Sequence, residues 1–343
     1  MKKLLNTLYV TSPDYFLGLR GENVVLLQDG KILHRIPLHA LESIIAFSYS
    51  GISAALLEKC SEREVSVVIL NHYGRLCGRF VSMSRGNILL RKKQAQIALN
   101  QEDSLKINRW IILAKIINAR NFLIRFRKQY ALRIREEVFI HAITHLKQSK
   151  ERTKVASNKE ELRGIEGDAQ ATYYGVFPHM ILTNSEYFNF RGRSKRPPLD
   201  PPNALLSYAY SLLSYDCAAA LEANGLDAYM GFNHTDRPGR ISLALDLLEE
   251  FRVMICDRFV LRMINRGQFT EPDFLEQESG AILLTDEARK KYLSQWQKQK
   301  YESLTHPYLQ EKMPWGLVPY IQAQLLARYL REDLDAYPPF FWK

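Results

Sequence analysis

Residues 104–145 give the clearest indication of the fold class, and they read SLKINRWIILAKIINARNFLIRFRKQYALRIREEVFIHAITH. Apolar residues recur in this stretch three and four positions apart, and it contains neither glycine nor proline. Such a period is typical of an amphipathic helix, so we predict that these residues form the longest helical segment. Asn203 directly follows a proline-rich stretch and is predicted to cap the next helix. Shorter helical patterns occur at residues 158–175, 203–223, 240–265, 285–299 and 319–332.

The N-terminal part of the chain shows a different pattern, in which short apolar runs alternate with turn residues. Its clearest element is a hairpin, because Asp29 and Gly30 separate two apolar runs and an Asp-Gly pair suits a turn with positive φ. A short helix at residues 51–60 and strands at residues 65–70 and 78–82 follow. We therefore predict an α+β fold, in which a β-rich N-terminal domain precedes a larger helical domain. The predicted boundaries are residues 1–84 for the first domain, 85–103 for a linker and 104–343 for the second domain.

The composition is that of a folded protein of about two domains: 343 residues, of which 46% are hydrophobic and 24% charged. It excludes a disordered or fibrous chain. No apolar run approaches the roughly 18 residues that cross a bilayer, so we expect no membrane association. Asn6 and Thr7 interrupt the first apolar patch, which favours a first strand over a signal peptide. The four cysteines are scattered along the chain, which predicts reduced thiols in a cytoplasmic protein.

The positive charge of the chain is concentrated in one tract. The formal net charge is +10, and residues 85–135 contain thirteen Lys and Arg but only two acids, Glu102 and Asp103. Aromatic residues are interleaved with these cations. The tract is either a solvated helix face or a surface that follows nucleic-acid phosphates; we favour the second, since a solvated face normally mixes both signs. The candidate DNA-binding residues are Arg91, Lys92, Lys93, Arg120, Arg125, Arg127 and Lys128.

A carboxylate flanked by glycines is the first candidate for chemistry. Glu166 lies between Gly164 and Gly167 inside a helical pattern. Each glycine costs about 1 kcal/mol relative to alanine in a helix, so the close approach of another helix or of a ligand would explain them. The alternative is an ordinary surface glutamate beside a helix-packing glycine, and the spacing alone leaves both open.

A second candidate is a histidine loop that enters a helix with two acids. His234 lies in a polar, turn-rich loop, and Asp246 and Glu249 follow three residues apart, so they share one helix face. The alternative is an amphipathic helix whose acids point to solvent. Together with Glu166 these residues form an oxygen-rich set with one nitrogen, which suits Mg²⁺ or Mn²⁺ better than structural zinc. Beside a basic tract, such a site indicates chemistry on phosphodiesters.

Other catalytic motifs have little or no support. His141 and His145 lie four apart on a helical pattern, but the glutamate of a zinc-protease helix is missing between them and no third ligand follows. We interpret them as helix-surface or interface residues. The chain contains no phosphate-binding P-loop, no Gly-x-Gly-x-x-Gly and no Gly-x-Ser-x-Gly.

Four passages together resemble the Cas1 family, the integrase/endonuclease of CRISPR spacer acquisition. They are RFVSMSRGNILLRKKQ (79–94), GIEG (164–167), PPLDPPNALLSYAY (197–210) and GFNHTDRPGRISLALDLLEEFR (231–252). The length and the final YPPFFW before Lys343 resemble the type I-C branch. The resemblance implies a β-sandwich-like N-terminal domain for dimerisation and partner contact, followed by an all-α catalytic domain. It maps the family's catalytic, metal-binding residues onto Glu166, His234 and Glu249, with Asp246 as a companion acid or alternate ligand. Glu250 could be confused with Glu249.

The resemblance also implies partners and a reaction. The family works as a homodimer, and the small ferredoxin-like Cas2 protein bridges two dimers. The substrates would be double-stranded DNA: a prespacer, and the repeat and leader of a CRISPR array. The 3′-hydroxyl of the prespacer would attack a phosphodiester of the repeat. Two alternatives remain at this point, a non-catalytic DNA-binding scaffold and a hydrolytic metal-dependent nuclease that uses water.

Overall fold

The structure, a computed structural model, describes residues 7–12, 14–41, 43–47, 50–63, 65–70, 76–80, 88–183, 186–235 and 237–342. The chain divides into two compact units. The first contains residues 1–85 and 286–302, and the second contains residues 86–285 and 303–343. A strand-rich region followed by a mostly helical one confirms the predicted α+β class.

The helices, in chain order, are α1 (Ala54–Glu62), α2 (Ile88–Leu99), α3 (Gln101–Gln129), α4 (Glu136–Val155), α5 (Lys159–Met180), α6 (Pro201–Ala223), α7 (Ser242–Glu249), α8 (Arg258–Asn265), α9 (Asp286–Tyr301) and α10 (Val318–Leu330). The strands are β1 (Thr7–Val10), β2 (Phe16–Arg20), β3 (Asn23–Gln28), β4 (Lys31–Pro37), β5 (Ser43–Ala46), β6 (Ser66–Leu70), β7 (Leu76–Phe80), β8 (Phe274–Glu276), β9 (Ile282–Leu284), β10 (Ser303–Thr305) and β11 (Lys312–Pro314). None of these helices is long and apolar enough to cross a membrane.

Two sheets form the first unit. Strands β2, β3 and β4 make an antiparallel meander, and a second sheet has the order β1-β5-β6-β7 with only β7 antiparallel to its neighbour. The predicted hairpin is confirmed, since Asp29 and Gly30 join β3 to β4 with φ of 50° and 75°. Leu17 of the meander and Ile44 of the second sheet belong to one buried apolar cluster, which α1 completes with Leu56. The shared core explains the sandwich-like arrangement.

Helix α9 clusters with the first unit, although the sequence interpretation assigned its residues to the helical domain. Tyr292 and Trp296 of this helix are buried. A helical pattern predicts that a helix has an apolar face but does not predict which core will cover it.

The second unit differs from the sequence prediction at several helix boundaries. The segment 104–145 forms two helices, α3 and α4, with a 3₁₀ turn at Ala131–Arg133 between them. The turn lets the two helices pack side by side, and Phe126 stacks on Phe139 with ring centroids 5.9 Å apart. One straight helix would leave much of that apolar face in water. The predicted linker forms α2 from residue 88, while residues 85–87 lie outside the described part of the chain.

The prediction that Asn203 caps α6 is wrong. Asp200 is the N-cap, and its carboxylate accepts a hydrogen bond from the backbone N–H of Asn203 at 2.8 Å. Pro201 and Pro202 occupy the first turn, where the missing N–H groups cost nothing. The prolines therefore begin the helix instead of preceding it.

The pattern at residues 240–265 is also interrupted. Helix α7 ends at Glu249, a π-helical segment covers Arg252–Asp257, and α8 follows. π-Helical turns are rare and occur often at functional sites. The small hairpins β8-β9 and β10-β11 were not predicted, because each strand has only three residues.

Candidate active site

Two predicted acids, Glu166 and Glu249, meet at one lysine. Glu166 lies on α5, Glu249 ends α7, and Lys115 of α3 reaches between them. The Lys115 ammonium contacts Glu166 Oε1 at 2.5 Å and Glu249 Oε2 at 2.9 Å, and it donates to Gln170 Oε1 at 3.0 Å. One ammonium group therefore bridges the two carboxylates.

Burial and charge act in opposite directions on this pair. Burial alone would raise the pKa of Glu249, but Lys115 and Arg252 outweigh it and hold that pKa well below its usual range. Burial likewise disfavours the charged form of Lys115, yet Glu249 and Glu166 raise its pKa above the ordinary value. The lysine and Glu249 are thus both ionised in the interior.

The histidine of the predicted set is held by Asp246. Its Nδ1 lies 2.6 Å from Asp246 Oδ1, and its backbone N–H donates to the same oxygen at 3.0 Å. The other carboxylate oxygen accepts from the backbone N–H groups of Phe232 and Asn233 at 2.7 and 3.0 Å. Because a carboxylate accepts, Nδ1 of His234 carries the proton and Nε2 keeps a lone pair for a metal or a proton. These four hydrogen bonds of Asp246 fix the His234 loop.

The start of this loop has no room for a side chain. A Cβ at Gly231 would lie 2.7 Å from Cβ of Ser242 and 3.1 Å from Asp246 Oδ2. Two neighbouring helices hold the loop from its other sides. Asn108 of α3 donates to the carbonyl of Phe232 at 2.8 Å, and Arg163 of α5 donates to that of Asn233 at 3.3 Å.

Glu250, which the sequence could not separate from Glu249, belongs to a different network. It is fully buried and accepts hydrogen bonds from the Tyr337 hydroxyl at 2.5 Å and the Phe340 backbone N–H at 2.8 Å. Gln322 donates to it at 3.1 Å. Burial raises the pKa of Glu250 to about 7, although these three donors oppose the shift. It anchors the C-terminal segment and does not face Lys115.

Several residues near Glu249 were missed by sequence reasoning. Arg252, at the start of the π-helical segment, donates to both Glu249 oxygens at 3.2 and 3.3 Å and to the Tyr174 hydroxyl at 2.6 Å. The Tyr174 hydroxyl lies 2.9 Å from that of Tyr210, which donates to Asp257. The signal that could have found them is a charged residue inside an apolar run, such as Lys115 in IILAKII and Arg252 in FRVMIC.

A second missed cation, Arg193, explains part of the 197–210 passage. It donates to Asn203 Oδ1 at 2.7 Å and to Ser207 Oγ at 3.0 Å, and its guanidinium lies 5.2 Å from the Tyr210 ring centroid. These three partners follow at positions i, i+4 and i+7 on one face of α6. Lys195 lies on the same loop, and partial burial together with Arg252 lowers its pKa. The site is thus bordered by cations on the 190s loop.

Glu166, Glu249 and His234 offer ligands that suit a hard divalent cation, but their side chains do not already surround a metal position. Among the described residues, no group of three or more His, Cys, Asp or Glu side chains converges closely enough to hold a metal ion. Glu166 and Glu249 nevertheless contact one shared cation, and His234 is held by Asp246, which lies about one helix turn before Glu249. Two carboxylates and one imidazole suit Mg²⁺ or Mn²⁺.

The two glycines around Glu166 do not serve packing within the described chain. At Gly164 and Gly167 a Cβ would meet no heavy atom of another part of the chain within 4 Å. Both residues are exposed. The structure therefore contradicts close packing by another helix of this chain and leaves the surface beside Glu166 open to a ligand.

The cations of the predicted basic tract have different surroundings in the structure. Lys92 and Lys128 are exposed, whereas Lys93 pairs with Glu332 at 2.5 Å, and Arg127 lies 3.7 Å from Glu136. Arg125 lies over the Trp342 ring at 3.6 Å. The remaining two candidates are half-buried: Arg91 donates weakly to the backbone carbonyl of Gly225, and Arg120 keeps one nitrogen without a hydrogen-bond partner among the described residues.

The histidines interpreted as surface residues lie apart from this site. His145 contacts Asp168 at 2.9 Å on the outer faces of α4 and α5, and the His141 ring lies 6.5 Å from the His145 ring. His141 is exposed.

Known proteins of one family are similar to the chain over most of its length. The family model described as "CRISPR associated protein Cas1" matches residues 8–298. The chain is 45% identical to "CRISPR-associated endonuclease Cas1 2" of Rhodospirillum rubrum and 43% identical to "CRISPR-associated endonuclease Cas1 1" of Chlorobaculum tepidum, each over the full length of both chains.

Solved structures show the same fold. A Cas1 protein from Thermotoga maritima superposes with a TM-score of 0.82 at 24% identity, over 97% of this chain and 99% of that one. A casposase bound to integration product gives a TM-score of 0.84 at 21% identity, over 98% of this chain and 93% of that one.

Proposed function

Because the chain belongs to the Cas1 family of CRISPR-associated proteins, we propose that it is a metal-dependent DNA integrase and endonuclease that inserts spacers into a CRISPR array. The 3′-hydroxyl oxygen of a prespacer attacks a phosphorus of the repeat, one P–O bond forms, and the bond to the repeat's own 3′-oxygen breaks. One ester replaces another, so no ATP is needed. The carrying observation is that Glu166 and Glu249 contact one cation, about one helix turn from the Asp246 carboxylate that holds His234.

The residues have separate roles in this proposal. Glu166, Glu249 and the Nε2 atom of His234 hold Mg²⁺ or Mn²⁺, while Asp246 orients the imidazole and stays outside the ligand set. The bound ion would polarise the phosphoryl oxygen and stabilise the attacking and leaving oxygens. The cations at the site border, Arg193 and Lys195, would hold the scissile phosphate by charge.

The substrate and partner assignments rest on charge and on relatives. We propose that exposed cations such as Lys92 and Lys128 follow the DNA backbone without reading its sequence. One solved structure of the same fold is a casposase bound to integration product, and another is a Cas6-RT-Cas1–Cas2 complex. By analogy we propose a homodimer that binds Cas2 and works in the cytoplasm. The C-terminal YPPFFW supports the type I-C branch.

A strand-transfer assay tests the function. Purified protein, with and without Cas2, receives Mn²⁺, a supercoiled plasmid carrying the repeat, and a labelled duplex that ends in 3′-hydroxyl or 3′-deoxy. We expect label to join the plasmid only when the 3′-hydroxyl is present. Nicking that ignores the 3′ end would identify a hydrolytic nuclease instead, and tight DNA binding with no product would favour the scaffold.

A matched pair of substitutions on α5 ties the activity to the site. Glu166→Ala should abolish joining and leave DNA binding largely intact, because it removes a metal ligand and no surface cation. Glu160→Ala changes an exposed glutamate on the same helix and should retain activity. Equal metal-dependent joining by both variants would refute the assignment of Glu166.

A further inference from the structure

Lys115 occupies an unusual place for a lysine. It lies on the buried face of α3 among Ile111, Ile112 and Ile116, and only 7% of its surface is exposed. Its ammonium has three protons, and it has three oxygen partners, on Glu166, Glu249 and Gln170.

The same two carboxylates are the proposed metal ligands, so the lysine and a divalent ion compete for one space. Without a cation between them, the buried Glu249 carboxylate and the half-buried Glu166 carboxylate repel each other. If the ammonium stayed between them, a divalent ion would have to bind next to an existing positive charge. In a low-dielectric site the two cations would repel each other strongly. The ammonium and a divalent ion cannot both occupy the position between Glu166 Oε1 and Glu249 Oε2.

We propose that Lys115 is a built-in counter-ion that stabilises the site before metal binds and must withdraw when Mg²⁺ or Mn²⁺ enters. This inference rests on the proposed metal-dependent function. Lys115 then lowers the affinity of the site for metal and stabilises the metal-free protein. Lys115 is thus distinct from the basic tract in which the sequence places it.

The withdrawn side chain has a place to go. A cavity adjoins the site, and Lys115, Gln170 and Asp257 line it together with Tyr173 and Tyr174. Gln170 and Asp257 offer oxygens that can accept the ammonium after it leaves the two glutamates. Rotation about the flexible lysine stem is enough for this movement, so α3 itself can stay in place.

Mn²⁺ binding measured by electron paramagnetic resonance of the free ion tests the inference without an activity assay. Lys115→Met removes the charge and keeps the stem, and we expect it to bind Mn²⁺ about tenfold more tightly than the parent chain, as expected when a competing ligand is lost. Lys115→Arg retains the charge and should bind no more tightly than the parent. Lys106→Met, an exposed position on the same helix, is the matched control and should leave the affinity unchanged.

Thermal unfolding gives an independent readout. Lys115→Met should melt at a lower temperature than the parent without metal and should gain more from added Mn²⁺. If Lys115→Met cannot be purified without metal, Lys115→Gln, which can donate to one glutamate, replaces it with the same expected direction.

The outcomes separate this inference from the function on which it rests. If the parent binds Mn²⁺ and neither neutral variant binds it more tightly, the counter-ion role is overturned while the metal site stands. Tighter binding by Lys115→Arg would also overturn it. If no variant binds Mn²⁺, the proposed metal-dependent function fails, and this inference fails with it.

Discussion

Glu250 should make the stability of the protein fall as pH rises through neutrality. Its carboxyl is fully buried, and burial raises its pKa to about 7 from an ordinary value of 4.5. The folded chain therefore binds a proton between these two values that the unfolded chain has released. Stability from this proton is fully present below pH 4.5 and is lost as pH rises through 7.

The size of the effect follows from the two pKa values. Each pKa step corresponds to 1.36 kcal/mol, so the loss between pH 4.5 and pH 8.5 is about 3 kcal/mol. In urea this corresponds to a midpoint shift of about 1 M if the denaturant slope is near 3 kcal/mol per molar. Glu250→Gln cannot ionise, and its oxygen can still accept from the Phe340 N–H. The variant should lack this part of the pH dependence and be the more stable protein at pH 8.5.

The assay is urea unfolding of both proteins at several pH values, followed by tryptophan fluorescence. Trp315 is a suitable probe, since its ring centroid lies 6.1 Å from that of Phe340, beside the segment that Glu250 anchors. The difference between the two proteins isolates Glu250, because all other titrating groups are shared. Glu278→Gln, at an exposed loop position, is the control and should follow the parent. Parallel pH profiles for the parent and Glu250→Gln would refute the reasoning.

Three further predictions concern the His234 loop, the glycines and the basic surface. Asp246→Asn should lower the free energy of unfolding by ~3 kcal/mol and abolish strand transfer, because a buried carboxylate with four hydrogen bonds is lost. Unchanged urea unfolding would contradict this prediction. Gly231→Ala should destabilise the protein by roughly 2 kcal/mol, because the added Cβ would overpack against Ser242. Gly164→Ala lies on an open helix face and should stabilise the protein by ~0.5–1 kcal/mol. If calorimetry ranks the two variants the other way, the packing argument is wrong. Lys92→Ala and Lys128→Ala should each reduce the slope of log Kobs against log salt for DNA by about 0.9, and an unchanged slope would make those lysines a solvated surface only.

The fold was predictable where a local pattern determines local structure. The Asp29-Gly30 turn was predicted correctly because positive φ at two positions suits few residue types. The break between α3 and α4 was not predictable from helical period, since residues 130–135 contain neither glycine nor proline. What ends the helix is the packing of Phe126 on Phe139, a contact between two helices that no single-helix pattern contains.

The candidate site was likewise predictable from the sequence only in part. A spacing of three residues placed Asp246 and Glu249 on neighbouring positions of α7, but spacing could not show that one orients His234 and the other faces Lys115. We propose that Asp246 stays outside the ligand set, because its two oxygens would have to give up four hydrogen bonds to bind a metal. From the sequence, Lys115 was one cation of the basic tract and Arg252 had no role. Both are unusual because they are buried, and burial depends on the fold.

The charge balance of the site leads to a last prediction, that metal and DNA bind cooperatively. Before metal enters, Glu166 and Glu249 are matched by Lys115 and Arg252, two negative charges against two positive ones. A divalent ion adds positive charge to a buried site that was balanced, and the polyanionic backbone of DNA is the group that offsets it. Coupling between two ligands is reciprocal, so DNA should tighten Mn²⁺ binding by the same factor by which Mn²⁺ tightens DNA binding. Titrations of Mn²⁺ with and without a duplex, and of the duplex with and without Mn²⁺, measure both factors. For Lys115→Met, which begins with an uncompensated negative charge, the factor should be smaller, and an equal factor in the two proteins would show that the lysine does not take part in the coupling.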